Sequence, residues 1–344
     1  MDLRTLLGIA LPVIQSPMAG VQGSALALAV SNAGGLGSLP CAMLDMAGLA
    51  RELAAMRDGT AKPYNVNFFC HAPPQPDAER EARWRTALSP YFREFGIDPA
   101  SIAPGPGRAP FSPEAAALLE QFRPAVVSFH FGLPPEPLLS RVRAIGARVL
   151  ASATTVPEAR WLEGRGVDAI IAQGLEAGGH RGIFQSDDLT TQSGTLALLP
   201  QVVRAVGVPV IAAGGIADAG GMRAALALGA AGVQAGTAYL LCPEATTSAI
   251  HREALASERA QHTAVTNVFT GRPARGIVNR IVREIGPISA NAPAFPLATA
   301  ALAPLRAAAE RRGSGDFSPL WSGQNASGCR AVPAPDVTRT LAGV

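Results

Sequence analysis

The chain has 344 residues, of which 48% are hydrophobic and 16% are charged, and its formal net charge is +3. This composition excludes a disordered chain, and without runs of like charge it gives no sign of binding to nucleic acid or to an anionic membrane surface. Gly, Pro or charged residues interrupt every apolar stretch before it reaches the length of a membrane span, so a membrane protein is not expected.

Along the chain, short apolar runs alternate strictly with Ala- and Leu-rich stretches of helical period, which is typical of successive βα units. Eight strands are predicted, at residues 12–15, 35–39, 65–69, 125–131, 148–153, 169–173, 208–213 and 232–240. Helices are predicted between them at residues 24–31, 45–57, 113–121, 135–145, 156–165, 195–205 and 219–228. Eight evenly spaced units predict an α/β fold, a (β/α)₈ TIM barrel, and a doubly wound open sheet is the alternative.

Two segments fall outside this alternation. Proline-rich residues 71–112 follow the third strand, which predicts an insertion at the mouth of the barrel. After the eighth strand, a helix is predicted at residues 244–259, and the chain to residue 330 is expected to pack over the upper rim without a core of its own. Residues 1–330 are therefore predicted to form one domain, and residues 331–344 a C-terminal tail.

Glycine-rich junctions follow the sixth, seventh and eighth strands. Loops after the last two strands of such barrels commonly bind phosphate, because glycine lets a ligand approach backbone N–H groups at the start of a helix. Gly214, Gly215, Gly236 and Thr237 fit that role, although each junction alone could simply permit a tight turn. No Gly-x-Gly-x-x-Gly follows the first strand, so a mononucleotide phosphate is expected rather than a dinucleotide.

Two histidines are predicted at the mouth of the barrel. His180 lies between glycines beside the proposed phosphate site, where a mobile, partly exposed imidazole would titrate near neutral pH, so it is the predicted catalytic residue. His130 ends the fourth strand and is predicted to bind substrate, with a hydrogen-bonded core histidine as the alternative.

Several other chemistries lack the residues that they require. No acidic pair is placed as in a glycosidase, and no serine lies in a nucleophile elbow, so hydrolysis is not indicated. With few acidic residues at the strand ends, no metal site is expected. The four cysteines include no Cys-x-x-Cys pair, which predicts reduced thiols in a cytoplasmic protein.

At these residues the sequence resembles the nitronate monooxygenase family, formerly called 2-nitropropane dioxygenases, and in particular its class I members. The resemblance covers nearly the whole chain, and the loop with His180 is its most specific part. It rests on residues 15–20 (Gln-Ser-Pro-Met-Ala-Gly), 65–71 (Asn-Val-Asn-Phe-Phe-Cys-His), 128–132, 172–182, 213–216, 234–237 and 320–324 (Leu-Trp-Ser-Gly-Gln).

The resemblance implies an FMN-containing barrel that oxidises alkyl nitronates with O₂ to a carbonyl compound and nitrite, without reduced nicotinamide. His180 matches the family's active-site histidine. The sequence leaves a homodimer open as the oligomeric state. The implied flavin contacts are Met18, Asn67 and Gln173 at the ring and ribityl chain, and Gly178, Gly179, Gly214, Gly215, Gln234, Ala235, Gly236 and Thr237 near the phosphate. Related FMN-dependent NAD(P)H reductases share the Glu-Ala-Gly-Gly-His stretch, so a reductase is one alternative and a non-catalytic flavin-binding protein is another.

Overall fold

The computed structural model describes residues 2–102 and 107–344 of the chain. Eight parallel strands lie side by side in one sheet, with short connections to helices on the outside. The strands are β1 (Val13–Gln15), β2 (Gly37–Pro40), β3 (Tyr64–Phe69), β4 (Val126–His130), β5 (Arg148–Ala153), β6 (Ala169–Gln173), β8 (Val210–Ala213) and β9 (Gly232–Ala235), in the order β1-β9-β8-β6-β5-β4-β3-β2. Strand β7 (Gly179–His180) belongs to a second, three-stranded sheet at the site.

The sheet closes on itself between its first and last strands. Ile14 forms a parallel bridge with Leu36, and the backbone N–H of Gln15 donates to the Leu36 carbonyl over 3.0 Å. The predicted (β/α)₈ barrel is therefore confirmed. Nearly every residue of these strands is buried, on both faces of the sheet. This is expected when helices cover a parallel sheet from outside and side chains fill the barrel from inside.

The helices between the strands match the predicted positions within a few residues. They are α2 (Ser24–Asn32), α3 (Met46–Gly59), α5 (Pro113–Phe122), α6 (Glu136–Ala144), α7 (Val156–Glu163), α8 (Thr195–Ala205) and α9 (Ala219–Ala227). A short helix α1 (Leu3–Leu7) precedes the barrel, and its buried leucines pack with Ile14, Leu150 and Ile211. This cluster fills the N-terminal end of the barrel and leaves the other end for a site.

The last predicted strand is shorter than expected. The sequence predicts residues 232–240, but β9 ends at Ala235, and Thr237–Tyr239 form a 3₁₀ turn. The reason lies at Gly236, whose φ of −118° and ψ of −65° leave the extended conformation. The chain therefore turns at the glycine junction itself, at the C-terminal end of the strand.

The insertion and the C-terminal segment build a roof over the barrel. The insertion contains α4 (Ala78–Phe95), and the C-terminal segment contains α10 (Ala249–Ala256), α11 (Arg280–Glu284) and α12 (Ala298–Arg311). We call these two segments the roof. The predicted helix at residues 244–259 is restricted to α10, because Ser248 caps its first turn with a side-chain hydrogen bond to the His251 N–H and Ser257 ends it.

The roof has its own hydrophobic cluster, which the sequence analysis did not expect. Helix α4 packs on α12, and Trp84, Leu88 and Phe92 are buried with Leu302, Leu305 and Phe317. The cluster is shared between two segments that lie far apart in sequence. Neither segment alone shows enough apolar residues to indicate a core.

The C-terminal residues form a helix of the barrel rather than a tail. Helix α13 (Ala334–Ala342) packs against α2 and α9, and Val337 and Leu341 are buried in the main core. The Tyr239 hydroxyl lies 3.0 Å from the Thr338 hydroxyl and links the helix to the end of β9. The helix layer is thus completed by residues that follow the roof in sequence.

Candidate functional site

A cavity opens at the C-terminal ends of the barrel strands, beneath the roof. All thirteen residues that the sequence analysis proposed for the site line this one cavity. They are Met18, Asn67, His130, Gln173, Gly178, Gly179, His180, Gly214, Gly215, Gln234, Ala235, Gly236 and Thr237.

The glycine junction after β8 requires its residue type. Gly214 and Gly215 have φ values of +120° and +73°, which other residues rarely adopt. A Cβ at Gly214 would also lie 2.8 Å from Thr195 Oγ1 and 3.0 Å from the Ala177 nitrogen. The two glycines therefore bring bare backbone to the cavity wall, next to the 3₁₀ turn that starts at Thr237.

Gln234 leaves a polar atom at the cavity that needs a partner. Its Oε1 is buried, and no hydrogen-bond partner for it occurs in residues 2–102 and 107–344. A buried acceptor without a donor costs free energy, so a group bound in the cavity would satisfy it. The bare backbone at Gly214 and Gly215 fits a phosphate group, and Gln234 fits a hydrogen-bond donor elsewhere on the same ligand.

His180 is held in a short strand rather than in a mobile loop. Strand β7 (Gly179–His180) pairs antiparallel with β11 (Ala274–Ile277), which in turn pairs with β10 (Thr263–Thr266). The imidazole Nε2 lies 3.0 Å from the Thr270 hydroxyl. The predicted mobility of His180 is therefore wrong, because pairing with β11 fixes its backbone and Thr270 contacts its ring.

The expectation that His180 titrates near neutral pH is wrong as well. Burial lowers the pKa of His180 well below its usual value, and the positive charges of Arg108 and Arg272 lower it further. The ring is therefore neutral at neutral pH. It can donate one hydrogen bond and accept another, but it does not carry a charge to the substrate.

His130 uses both ring nitrogens inside the protein. Nε2 lies 3.2 Å from the His180 carbonyl oxygen, which can only accept, so this nitrogen carries the hydrogen. Nδ1 then accepts from the Ser152 hydroxyl at 3.0 Å. Burial lowers the pKa of His130 to about 3. The ring lines the cavity, but Nε2 is engaged in holding the His180 backbone and Nδ1 is bonded to Ser152.

Gln173 and Arg181 hold the same segment from the other side. The Gln173 amide donates to the His180 carbonyl at 3.0 Å and accepts from the Gly182 N–H at 2.7 Å. The fully buried Arg181 donates to the carbonyls of Gln173 and Gly174 at 2.8 and 2.7 Å. These hydrogen bonds join β7 to the end of β6 and fix the place of His180.

The sequence profile of the nitronate monooxygenase family matches residues 2–342. The chain belongs to this family. A nitronate monooxygenase of Pseudomonas aeruginosa is 46% identical over an alignment of 348 positions, which covers 98% of this chain and 96% of the relative. One from Paraburkholderia phytofirmans is 42% identical and covers 98% of this chain and 93% of its own length.

A solved structure agrees with this assignment. The nitroalkane oxidase from Streptomyces ansochromogenes is 39% identical, superposes with a TM-score of 0.88, and covers 99% of this chain and 96% of its own length. The family resemblance predicted from the motifs is confirmed, and with it the prediction of an oxidoreductase.

Sequence reasoning missed several residues of this family member's site. Thr270 and Ser152, which contact the two histidines, are single hydroxyl residues without a motif around them. Arg108 lines the cavity from within the insertion, and Trp321 lies with its ring centroid 5.5 Å from that of His180. Only Trp321 had a signal, since it lies in the 320–324 stretch that supported the resemblance.

Neither a membrane-spanning helix nor a cluster of metal ligands occurs in the part of the chain that the structure describes. Across residues 2–102 and 107–344, no helix is both long and apolar enough to cross a bilayer. In the same ranges, no three His, Cys, Asp or Glu side chains come together as metal ligands.

Proposed function

We propose that this chain oxidises alkyl nitronates, such as propionate 3-nitronate, with O₂ to a carbonyl compound and nitrite, using bound FMN. The observation that carries the proposal is one cavity in which the glycine junctions after β6, β8 and β9 meet the neutral imidazole of His180. Membership of the nitronate monooxygenase family supports the class of reaction.

FMN would be held mostly by backbone. The N–H groups at Gly236 and Thr237 would bind its phosphate, because the first N–H groups of a helical turn lack intrahelical partners. Gly214 and Gly215 would add the N–H groups of their bare backbone. Other lining residues would contact the ring system and ribityl chain: Met18, Asn67, Gly178, Gly179, Gln234 and Ala235. Gln173, whose amide is already bonded at both ends, would act by holding His180.

When bound, FMN supplies the redox chemistry, accepting electrons from the nitronate and passing them to O₂. The protein binds and orients the substrate. With hydrogen on Nδ1, His180 would donate a hydrogen bond to a nitro oxygen while Thr270 donates to Nε2. His130 would support this geometry through the His180 carbonyl rather than through its own contact with substrate.

A second candidate activity, on neutral nitroalkanes, is favoured by the same neutral imidazole. In the other tautomer Nε2 donates to Thr270, and the Nδ1 lone pair could accept a proton from the carbon next to the nitro group. The related Streptomyces protein is named a nitroalkane oxidase. Nitrite release from freshly dissolved nitroalkane, compared with release from preformed nitronate, would detect this activity.

The deciding experiment combines a spectrum with two reactions. The purified protein should show the visible bands of oxidised flavin and should release nitrite from propionate 3-nitronate in air. Under anaerobic conditions NADH should leave the flavin band unchanged. Rapid bleaching by NADH would instead identify a reductase, and flavin binding without nitrite release would identify a non-catalytic flavoprotein.

We also propose that the enzyme works in the cytoplasm, as a monomer or a homodimer. Its four cysteines, Cys41, Cys70, Cys242 and Cys329, are all free thiols. Unpaired cysteines suit a reducing compartment, because thiols persist there. Cell fractionation and light scattering would test the two statements.

A further inference from the structure

Four aromatic side chains lie around the imidazole of His180, and we call them the aromatic box. They come from β3, from the residue after β4, and from two parts of the C-terminal segment. The distances between ring centroids and the imidazole are 6.2 Å for Phe69, 6.0 Å for Phe131, 5.3 Å for Phe295 and 5.5 Å for Trp321. Phe69 and Trp321 line the cavity, and Phe131 and Phe295 pack on Phe69, so the wall beside His180 is largely apolar.

One cation reaches the cavity at this wall. Arg108, from the insertion, lines the cavity, and its guanidinium carbon lies 5.4 Å from the centroid of Phe295. The same Phe295 ring lies 5.3 Å from the ring of His180. Arg108 and His180 therefore both border Phe295, and a small molecule held at His180 would have Arg108 close to its far end.

The backbone of Arg108 and of the residues that follow it is held in place. The His71 ring donates from Nε2 to the Arg108 carbonyl oxygen at 2.9 Å. Three residues later, the Phe111 N–H donates to the Phe69 carbonyl at 2.8 Å, and the Phe111 ring packs on Phe68 with centroids 4.8 Å apart. Arg108 is thus presented by an anchored segment.

The charge of Arg108 lacks a counterion among the described residues. Its Nη1 is buried without a hydrogen-bond partner there, and burial lowers its pKa with no nearby carboxylate to offset the effect. An arginine remains protonated even so, and a buried, unpaired cation is costly unless an anion joins it. Contact with the Phe295 ring leaves the in-plane N–H groups free for such an anion.

We propose that Arg108 is a specificity-determining residue, which binds a second anionic group on the substrate, a carboxylate at the end opposite the nitronate. This rests on the proposed function, because it assumes that the nitronate lies at His180. The guanidinium fork matches a carboxylate in shape and charge, and the apolar box makes the pair less screened than in water. Nitronates with a carboxylate are therefore preferred over plain alkyl nitronates of the same length.

Arg272 is the natural comparison, since it is also buried near His180. Its guanidinium carbon lies 3.9 Å from the Phe131 centroid, and Nη2 donates to the Ile183 carbonyl. It is not among the residues that line the cavity. The Arg272 Nε is also buried without a partner among the described residues, but the carboxylates of Asp187 and Glu158 offset its charge, which is not the case for Arg108. Arg272 thus supplies a matched control: a cation of similar burial whose charge is offset and which does not line the cavity.

The test compares two three-carbon substrates, propionate 3-nitronate and propyl 1-nitronate, in the holoenzyme. Arg108→Gln should lower kcat/KM for the carboxylate-bearing substrate by about 10- to 100-fold, the usual loss for a charge-assisted hydrogen bond, mainly through KM. The value for propyl 1-nitronate should fall less than threefold. Arg108→Lys should recover part of the preference, and Arg272→Gln should change both substrates by the same factor.

Equal losses for both substrates in Arg108→Gln, or no loss for either, would overturn the proposal. A direct binding measurement keeps it separate from the proposed function. By calorimetry, the wild type should bind 3-nitropropionate at least tenfold more tightly than 1-nitropropane, and Arg108→Gln should lose this difference even if no nitrite is ever released. Equal affinity of the wild type for the two compounds would contradict the carboxylate site itself.

Discussion

The histidines of this site are neutral hydrogen-bonding groups, and their surroundings explain why. His180 and His130 are both half-buried, and the nearby charges of Arg108, Arg181 and Arg272 oppose a further positive charge. Protonation of either ring is therefore disfavoured unless an anion, such as a nitronate, lies beside it. The pair acts through geometry, with His130 holding the carbonyl of His180 and the His180 ring free to meet substrate.

Replacing His180 by Asn should lower the nitrite-releasing turnover with propionate 3-nitronate at least tenfold, because a hydrogen bond to a charged group contributes about 1.5–3 kcal/mol. FMN content should stay the same, since the proposed phosphate contacts are elsewhere. His262→Asn, at an exposed histidine, is the matched control. Wild-type turnover in His180→Asn would remove this residue from the mechanism.

Among single residues, the sequence predicted those site residues that lie within a recognisable motif. His180 and the glycines of the β6, β8 and β9 junctions were predicted because the residues of each junction are adjacent in sequence and form a recognisable pattern. Thr270, Ser152 and Arg108 were not, because each reaches the cavity from a segment with no pattern of its own. Their roles depend on how the roof folds back, which no local pattern encodes.

Among the elements, α13 shows most clearly what local patterns leave out. The strands and the seven helices between them carry strong periodicity, and their predicted positions were nearly right. Helix α13 is short and follows a Gly-, Ser- and Pro-containing stretch, so its sequence alone predicts a C-terminal tail rather than a packed helix. Its helical state is stabilised by burying Val337 and Leu341 between α2 and α9, a tertiary effect.

Leu341→Ala should therefore lower the free energy of unfolding by about 2–5 kcal/mol, the usual cost of truncating a buried leucine. Thr340→Ala, one residue earlier on the exposed side of the same helix, should change it by no more than about 0.5 kcal/mol. Denaturant unfolding followed by tryptophan fluorescence measures both. Equal stability of the two variants would show that α13 contributes little to the barrel.

For the whole molecule, buried neutral histidines link stability to pH. His71, His130, His180 and His251 all have pKa values below the usual 6.5, each chiefly through burial, with about 3 for His130 and about 4 for His251. Unfolding exposes them, so below pH 6.5 the unfolded chain binds more protons than the folded one. Stability is therefore retained above pH 6.5 and lost as the pH falls.

The free energy of unfolding should decline between pH 6.5 and 4.5, by up to about 1.4 kcal/mol per pH unit for each such histidine. His251→Leu removes one of these groups and should make the decline shallower. The exposed His262→Leu serves as its control. Denaturant midpoints at several pH values measure the slope, and a midpoint that does not change from pH 7 to 5 would contradict the argument.

The shared core of the roof also constrains how such a protein can diversify. Trp84 and Phe92 belong to the insertion, and Leu302 and Phe317 belong to the C-terminal segment, yet these side chains bury one another. The residues proposed to bind the flavin phosphate come from barrel junctions beneath, whereas Arg108 belongs to the insertion and Phe295 to the C-terminal segment. A chimera that is to acquire a relative's substrate preference must therefore exchange the insertion and the C-terminal segment together, and it can keep the barrel junctions proposed to bind the cofactor unchanged.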